Sequence, residues 1–260
     1  GGRGRMGISI PESDVPAAAP AADLEGEGPD FPDLSEVDVV RHFTRLSQWN
    51  FGVDTGMYPL GSCTMKYNPK IHDKVAALPG FAAAHPLLPP ELAQGNLRLL
   101  CELERLLCEI TGMDAATVQP AAGAHGELTA MLLFHAYHRQ RGERRTKILI
   151  PDTAHGTNPA SAALCGCAAV PVVSGPDGVL SVEAVEALMD EETVGIMVTN
   201  PNTLGLFEKN LREVAAVVHA KGGLVYGDGA NLNAVMGVVK MGEIGIDAIQ
   251  IGRASCRERV

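Results

Sequence analysis

From Thr146 onward, short apolar runs rich in β-branched residues alternate with helical patterns, and this regularity limits the fold more than any single motif. Ile148, Leu149 and Ile150, within Lys147 to Pro151, read as a buried strand, and Asp152 to Asn158 as a loop feeding a helix with Pro159 in its first turn. Ala168 to Val173 reads as the next strand, closed by a turn over Ser174 to Gly178. Ser181 caps a helix over Val182 to Met189, Gly195 to Thr199 is a strand, and Asn210 to Ala220 is a helix ended by Gly222 and Gly223. Leu224-Val225-Tyr226 is a further strand, ending at Gly227 to Asn231. Such alternation predicts an α/β fold, a mostly parallel sheet with helices on both faces.

Ligands of such sheets sit at the carboxyl ends of the strands. Four stretches gather there: Gly123 to His125, His155 to Asn158, Asn200 to Thr203, and Asp228 to Asn231. The first lies within Pro120 to Leu128, which joins an expected strand (Ala116, Thr117, Val118) to a long apolar helix from about Gly126 to Gln140. Small residues there let backbone N–H groups converge on an anion such as a phosphate, with the positive end of the helix behind them. His125 at the rim can lie flat on whatever the phosphate carries. The same stretch also reads as a tight turn with a satisfied histidine. Pyridoxal phosphate needs this combination: an anion cradle, a flat partner, a donor near its phenolic oxygen, and a carboxylate beside its ring nitrogen. Asp228 suits the last role, although an Asp-Gly pair is also common in plain turns.

The net charge of −10 and the lack of any Lys/Arg-rich face point away from nucleic acid and anionic membranes, leaving small molecules and proteins as partners. No apolar run approaches bilayer length and no charged-then-apolar leader opens the chain, so a soluble, cytoplasmic protein is expected. Cys63, Cys101, Cys108, Cys165, Cys167 and Cys256 lack paired CxxC spacing, which fits reduced thiols. Cys165 and Cys167 resemble half a metal site without its second pair of ligands, so no metal is expected.

The opening Gly2 to Gly7 matches the dinucleotide fingerprint formally, but no strand precedes it and no helix follows. Residues 1–34, rich in Pro, Ala, Gly and acid, read as either a disordered tail or an extended arm lying on another surface. Ser35 with Asp38 makes a capping box, after which Val39, Val40, Phe43, Leu46 and Trp49 recur at helical spacing. Tyr58 to Pro69 crowds hydroxyls, a thiol, an ammonium and an amide between two prolines, a functional loop or a surface one. Between Pro89 and Gly112, Leu97, Leu100, Leu103, Leu107 and Ile110 line one face of a helix that Gly112 terminates.

Five stretches in order, Tyr58 to Pro69 (YPLGSCTMKYNP), Pro120 to Leu128 (PAAGAHGEL), Ala154 to Ala160 (AHGTNPA), Thr199 to Gly205 (TNPNTLG) and Asp228 to Asn233 (DGANLN), resemble the glycine-decarboxylating P-protein family of the glycine cleavage system. The resemblance covers roughly Ser35 to Gln250, and the opening segment resembles the start of subunit 2 of two-chain members. It implies the aminotransferase-like fold type I of pyridoxal-phosphate enzymes, with residues 35–250 forming an incomplete large, cofactor-binding domain. By matching motif, Gly123 and Ala124 supply N–H groups to the phosphate, and His125 stacks on the ring. Asn200 lies near the phenolic oxygen, Asp228 holds the pyridinium, and Ala230 packs beneath it. Ser62, Cys63 and Thr64 fall on the substrate side. The implied partners are glycine, the lipoylated H-protein that receives the aminomethyl group, and subunit 1 in a heterotetramer.

The family continues past the position of Gln250 into a His-Lys-Thr motif whose lysine bonds the cofactor. Here Ile251 to Val260 turn to charge instead and resemble a translated sequencing adapter. Residues 251–260 are therefore expected to be a non-native tail, and the chain as written to be inactive. Another fold type I enzyme, an aminotransferase or a cysteine desulfurase, would share the phosphate turn and Asp228 without needing Tyr58 to Pro69. A non-catalytic structural subunit would have no use for His125 or Asp228. A nicotinamide enzyme would need a Gly-rich turn after its first strand.

Overall fold

The computed structural model describes residues 30–56, 67 and 69–251, with isolated positions between 12 and 26. It divides into two units, residues 1–56 and 57–260. In the first, helix α1 (Glu36–Trp49) starts at Ser35, whose hydroxyl accepts the Asp38 N–H at 3.4 Å and donates to the Asp38 carboxylate. This is the capping box expected there. Val39 and Leu46 are half-buried, while Val40, Phe43 and Trp49 are exposed, so most of the apolar stripe stays open within this unit.

The second unit opens with two short helices, α2 (Ile71–Ala76) and α3 (Pro79–Ala82), and two long ones, α4 (Gln94–Thr111) and α5 (Gly123–Gln140). Gly112 ends α4 in the left-handed region, φ 73°, which only glycine adopts without steric cost. Ile110 packs on the core, but Leu97, Leu100 and Leu103 of the same face are exposed.

The alternating part then lays down β1 (Lys147–Pro151), α6 (Thr157–Leu164), β2 (Ala168–Val172), α7 (Val182–Leu188), β3 (Thr193–Thr199), α8 (Leu211–Ala220), β4 (Leu224–Gly229) and β5 (Ala248–Ile251). All five strands are parallel, in the order β2-β1-β3-β4-β5. The chain steps from β1 outward to β2 and then returns past β1 to β3, so the two crossovers run in opposite directions along the sheet. Their helices consequently cover opposite faces. Leu149, Ile196, Val198 and Val225 pack with Val185 of α7 and with Val214 and Val218 of α8. Ile148, Ile150, Met197 and Tyr226 pack instead with Met131 and Phe134 of α5 and Ala162 of α6. The register slips between Lys147↔Thr193 and Ile148↔Gly195, leaving Val194 as an extra residue. The slip turns Val194 onto the α5 face with Met197, three positions away, against strict alternation.

Ala116, Thr117 and Val118, expected as a strand, carry no ladder among the described residues. An extended segment becomes a strand only beside a partner, and the sheet ends at β5. A groove of about 560 Å³ separates the two; its apolar walls include Leu107, Met113, Val118, Leu133 and Ile249. No described helix is long and apolar enough to cross a membrane.

At the amino ends of the strands a polar cluster ties three elements together. Glu143 Oε2 accepts from His138 Nδ1 at 2.8 Å and from Arg145 Nε at 2.9 Å. Arg145 Nη1 donates to the carbonyls of Thr193 at 2.8 Å and Lys221 at 3.1 Å, and His138 Nε2 meets the Val194 carbonyl at 3.0 Å. The His138 bond foremost, then the arginines, hold the Glu143 carboxyl down to about 2 against an ordinary 4.5. Because the folded value is the lower one, the stability it contributes is complete above the unfolded value and is lost as pH falls toward 2. Glu143→Gln is expected to flatten the acid limb of stability between about pH 4.5 and pH 2, read by urea unfolding across that range.

Gly195 is a second fixed point: a Cβ there would fall inside the Leu224 carbonyl oxygen of the neighbouring strand. Gly195→Ala is expected to cost about 3 kcal/mol or to prevent folding, since backbone gives way less readily than a side chain. Denaturant midpoints of the variant and the parent measure it.

Candidate active site

The parallel ladder of β3 and β4 sets Thr199 beside Asp228 at the carboxyl ends of both strands. Asp228, two residues on from Tyr226, faces the α5 layer and is 2% exposed. Its Oδ1 accepts the Ala230 N–H at 3.1 Å and its Oδ2 the Thr199 hydroxyl at 3.2 Å. Burial foremost holds the Asp228 carboxyl above its ordinary range; the Glu127 carboxylate adds to this, while the Ala230 N–H, His155 and Thr199 oppose it.

Glu127 on α5 is as deeply buried as Asp228, at 3% exposure. Its Oε1 accepts from the Thr157 hydroxyl at 2.7 Å and its Oε2 from the Ser161 hydroxyl at 3.0 Å. His155 completes the group: Glu127, His155 and Asp228 each offer a side-chain oxygen or nitrogen within 4.8 Å of the others. Such a trio can meet a cation, yet each carboxylate already accepts from two N–H or O–H donors. Sequence reasoning missed Glu127. The signal was present, because Glu127 shares its helical face with Ala130, Met131 and Phe134, all buried.

Helix α5 starts at Gly123, three residues before the expected Gly126, so Gly123, Ala124 and His125 form its first turn rather than a loop. The His125 N–H bonds back to the Ala122 carbonyl at 3.1 Å. Those of Gly123 and Ala124 stand at the amino end, where helical N–H groups have no acceptor within the helix. His125 is exposed at the rim. This turn abuts β5: a Cβ on Gly126 would come within 2.6 Å of Gln250 Cγ. Glu127 is one turn, roughly 6 Å, along the axis from Gly123, and its carboxylate neighbours that of Asp228.

Asn200, 1% exposed, accepts the Glu208 N–H on its Oδ1 at 3.0 Å, while its Nδ2 is buried without a partner. A buried amide donor left unpaired costs stability unless a ligand acceptor meets it. Ala230 is half-buried, and its N–H is the one that Asp228 holds. Ser62, Cys63 and Thr64 lie outside the described residues. Cys167 meets His135 Nε2 at 3.2 Å, and burial foremost, then Cys165, pushes its thiol up to about 11, which leaves it a weak nucleophile.

An unpaired amide donor on Asn200, helical N–H groups at the start of α5 and the Asp228 carboxylate are the kinds of group that a phosphorylated, nitrogen-containing ring engages. The fold agrees: it is the large-domain fold of fold type I pyridoxal-phosphate-dependent enzymes. A solved glycine decarboxylase, the P-protein of the glycine cleavage system in inhibitor-bound form, superposes with a TM-score of 0.65 at 22% identity, over 88% of this chain and 50% of that one. A sphingosine-1-phosphate lyase of Burkholderia pseudomallei gives 0.58 at 16% identity, over 89% and 58%.

The chain belongs to the glycine cleavage system P-protein family, whose profile matches residues 9–255. It is 52% identical over 252 residues to a probable glycine dehydrogenase (decarboxylating) subunit 2 of Alkaliphilus oremlandii, covering 95% of this chain and 52% of that protein. A protein of the same description from Listeria welshimeri is 54% identical over 254 residues, with coverages of 95% and 52%. The chain spans about half the length of these relatives.

Keeping a carboxylate ionised in this enclosure works against folding. The folded-state value of Asp228 lies above the unfolded one, so stability declines as pH rises from the unfolded carboxylate range through the folded value. Asp228→Asn is expected to raise the Tm of the cofactor-free protein at pH 7 and to lose that advantage near pH 3, where both side chains are neutral. Thermal unfolding at the two pH values measures it.

Proposed function

We propose that this chain carries the cofactor-binding large domain of a pyridoxal-phosphate-dependent glycine decarboxylase, subunit 2 of a two-chain P-protein. The observation that carries the reading is the buried Asp228 carboxylate beside Glu127, one turn from the amino end of α5, with Asn200 Nδ2 lacking an acceptor among the described residues. Gly123 and Ala124 would hold the phosphate through their backbone N–H groups, with His125 against the ring and Ala230 beneath it. Asn200 would donate to the phenolic oxygen. Asp228, its two oxygens steadied by Ala230 and Thr199, would accept from the ring nitrogen and keep it protonated. When bound, the cofactor supplies an electron sink for cleaving the carboxylate from glycine.

Ser62, Cys63 and Thr64 belong on the glycine side, by motif. The lipoylated H-protein receives the aminomethyl group, and subunit 1 pairs with this chain in a cytoplasmic heterotetramer. The family's cofactor-bonding lysine has no counterpart directly after Gln250 in this sequence. We take the run after Ile251, a residue that itself pairs with Gly229 in the sheet, as non-native. Tyr58 to Pro69, which an aminotransferase or a cysteine desulfurase does not need, favours the decarboxylase over those relatives.

The full-length protein mixed with pyridoxal phosphate is expected to gain a visible absorption band and, with subunit 1, glycine and lipoylated H-protein, to release carbon dioxide. Asp228→Ala should lower that rate by about 10²-fold or more, the scale of losing an aligned charge in an enclosed site. A full-length protein that neither binds the cofactor nor decarboxylates glycine refutes the proposal.

A further inference from the structure

His155 is hydrogen-bonded in two directions. Its backbone N–H reaches Thr199 Oγ1 at 3.0 Å, and its ring Nδ1 lies 2.6 Å from Thr157 Oγ1. A threonine hydroxyl has a single proton to give. Thr199 gives its own to Asp228 Oδ2 at 3.2 Å, and Thr157 gives its own to Glu127 Oε1 at 2.7 Å. A carboxylate only accepts, so the direction of each relay is fixed. Having spent its proton on Glu127, Thr157 meets His155 as an acceptor, which places a hydrogen on Nδ1. Ser161 occupies the other oxygen of Glu127 at 3.0 Å, so that the buried carboxylate has no reason to turn away.

We infer that Glu127 is a positioning residue: through Thr157 it holds the His155 ring in the Nδ1–H tautomer, and through His155 it fixes the backbone donor that turns the Thr199 hydroxyl onto Asp228. Two buried carboxylates that repel each other are thereby aligned by one histidine, each through its own threonine. Burial and the nearness of Glu127 both press Asp228 toward its neutral form. With Oδ1 on Ala230 and Oδ2 on Thr199, Asp228 keeps a set orientation for one further donor. That last step rests on the proposed cofactor site; the relay itself does not.

The test is 15N NMR of the histidine rings in the cofactor-free, full-length protein, followed by pyridoxal phosphate titration of the same samples. The parent should show His155 protonated on Nδ1. Thr157→Val should move the ring toward the Nε2–H form and weaken cofactor binding about 10-fold, while Thr157→Ser should restore both. Glu127→Gln should reproduce the valine effect, because its amide can donate where the carboxylate could only accept. Should the glutamine variant fail to fold, the valine and serine pair decides. An unchanged tautomer in Thr157→Val overturns the relay, and a shifted tautomer with unchanged affinity overturns the positioning role. If the parent binds no cofactor while the tautomer responds as described, the relay stands and the proposed function falls.

Discussion

Enclosing the Asp228 carboxylate is the constraint on which the surrounding polar architecture depends. At 2% exposure it cannot draw on water, so its two oxygens must find donors inside the protein, and they find the Ala230 N–H and the Thr199 hydroxyl. Thr199 can serve only because β3 and β4 run parallel in a register that sets it opposite Asp228. A second buried carboxylate, Glu127, raises the electrostatic cost, and Thr157 at the start of α6 answers it, with His155 of the loop after β1 behind Thr157. Sheet register, loop conformation and the placement of α5 thus converge on a single charge.

The strand order determines which loops meet there. Because β1 lies between β2 and β3, the crossovers diverge at that point, and the loops after β1 and β3 flank the opening. Helix α5 is drawn in from the other side by Gly126, whose lack of a side chain admits Gln250 of β5. The amino end of α5 is thereby held beside Gln250 of β5. The polar cluster around Glu143 ties the opposite ends of the strands and leaves the carboxyl ends to chemistry.

Much of this was legible in the chain. The apolar runs at 148–150, 168–172 and 195–199 became strands within a residue or two of their expected limits; β1 and β3 are buried on both faces, while β2 lies at the edge with only Val172 fully buried. Ser35, Ser181 and Gly112 ended or began helices as capping chemistry dictates. Ala116 to Val118 shows the limit: its composition suits a strand, but strand formation is a property of two segments, and no described neighbour lies beside it. The start of α5 was misjudged by three residues, since glycine and alanine permit a loop and a helical turn alike and only packing against β5 selects between them.

The sequence by itself determined the class of fold, through hydrophobic periodicity, and named the chemical types of the proposed site, through Gly123, His125, Asn200 and Asp228. Both are local information: a pattern of burial and a set of functional groups. Only the tertiary structure decided that Glu127, His155 and Asp228 lie within 4.8 Å of one another. Glu127 and Asp228 are separated by a hundred residues, and their meeting depends on strand order and on the seat of α5. It decided the proton order among them as well, because the direction of a hydrogen bond follows from which acceptor lies next to which donor. No pattern along a chain records that.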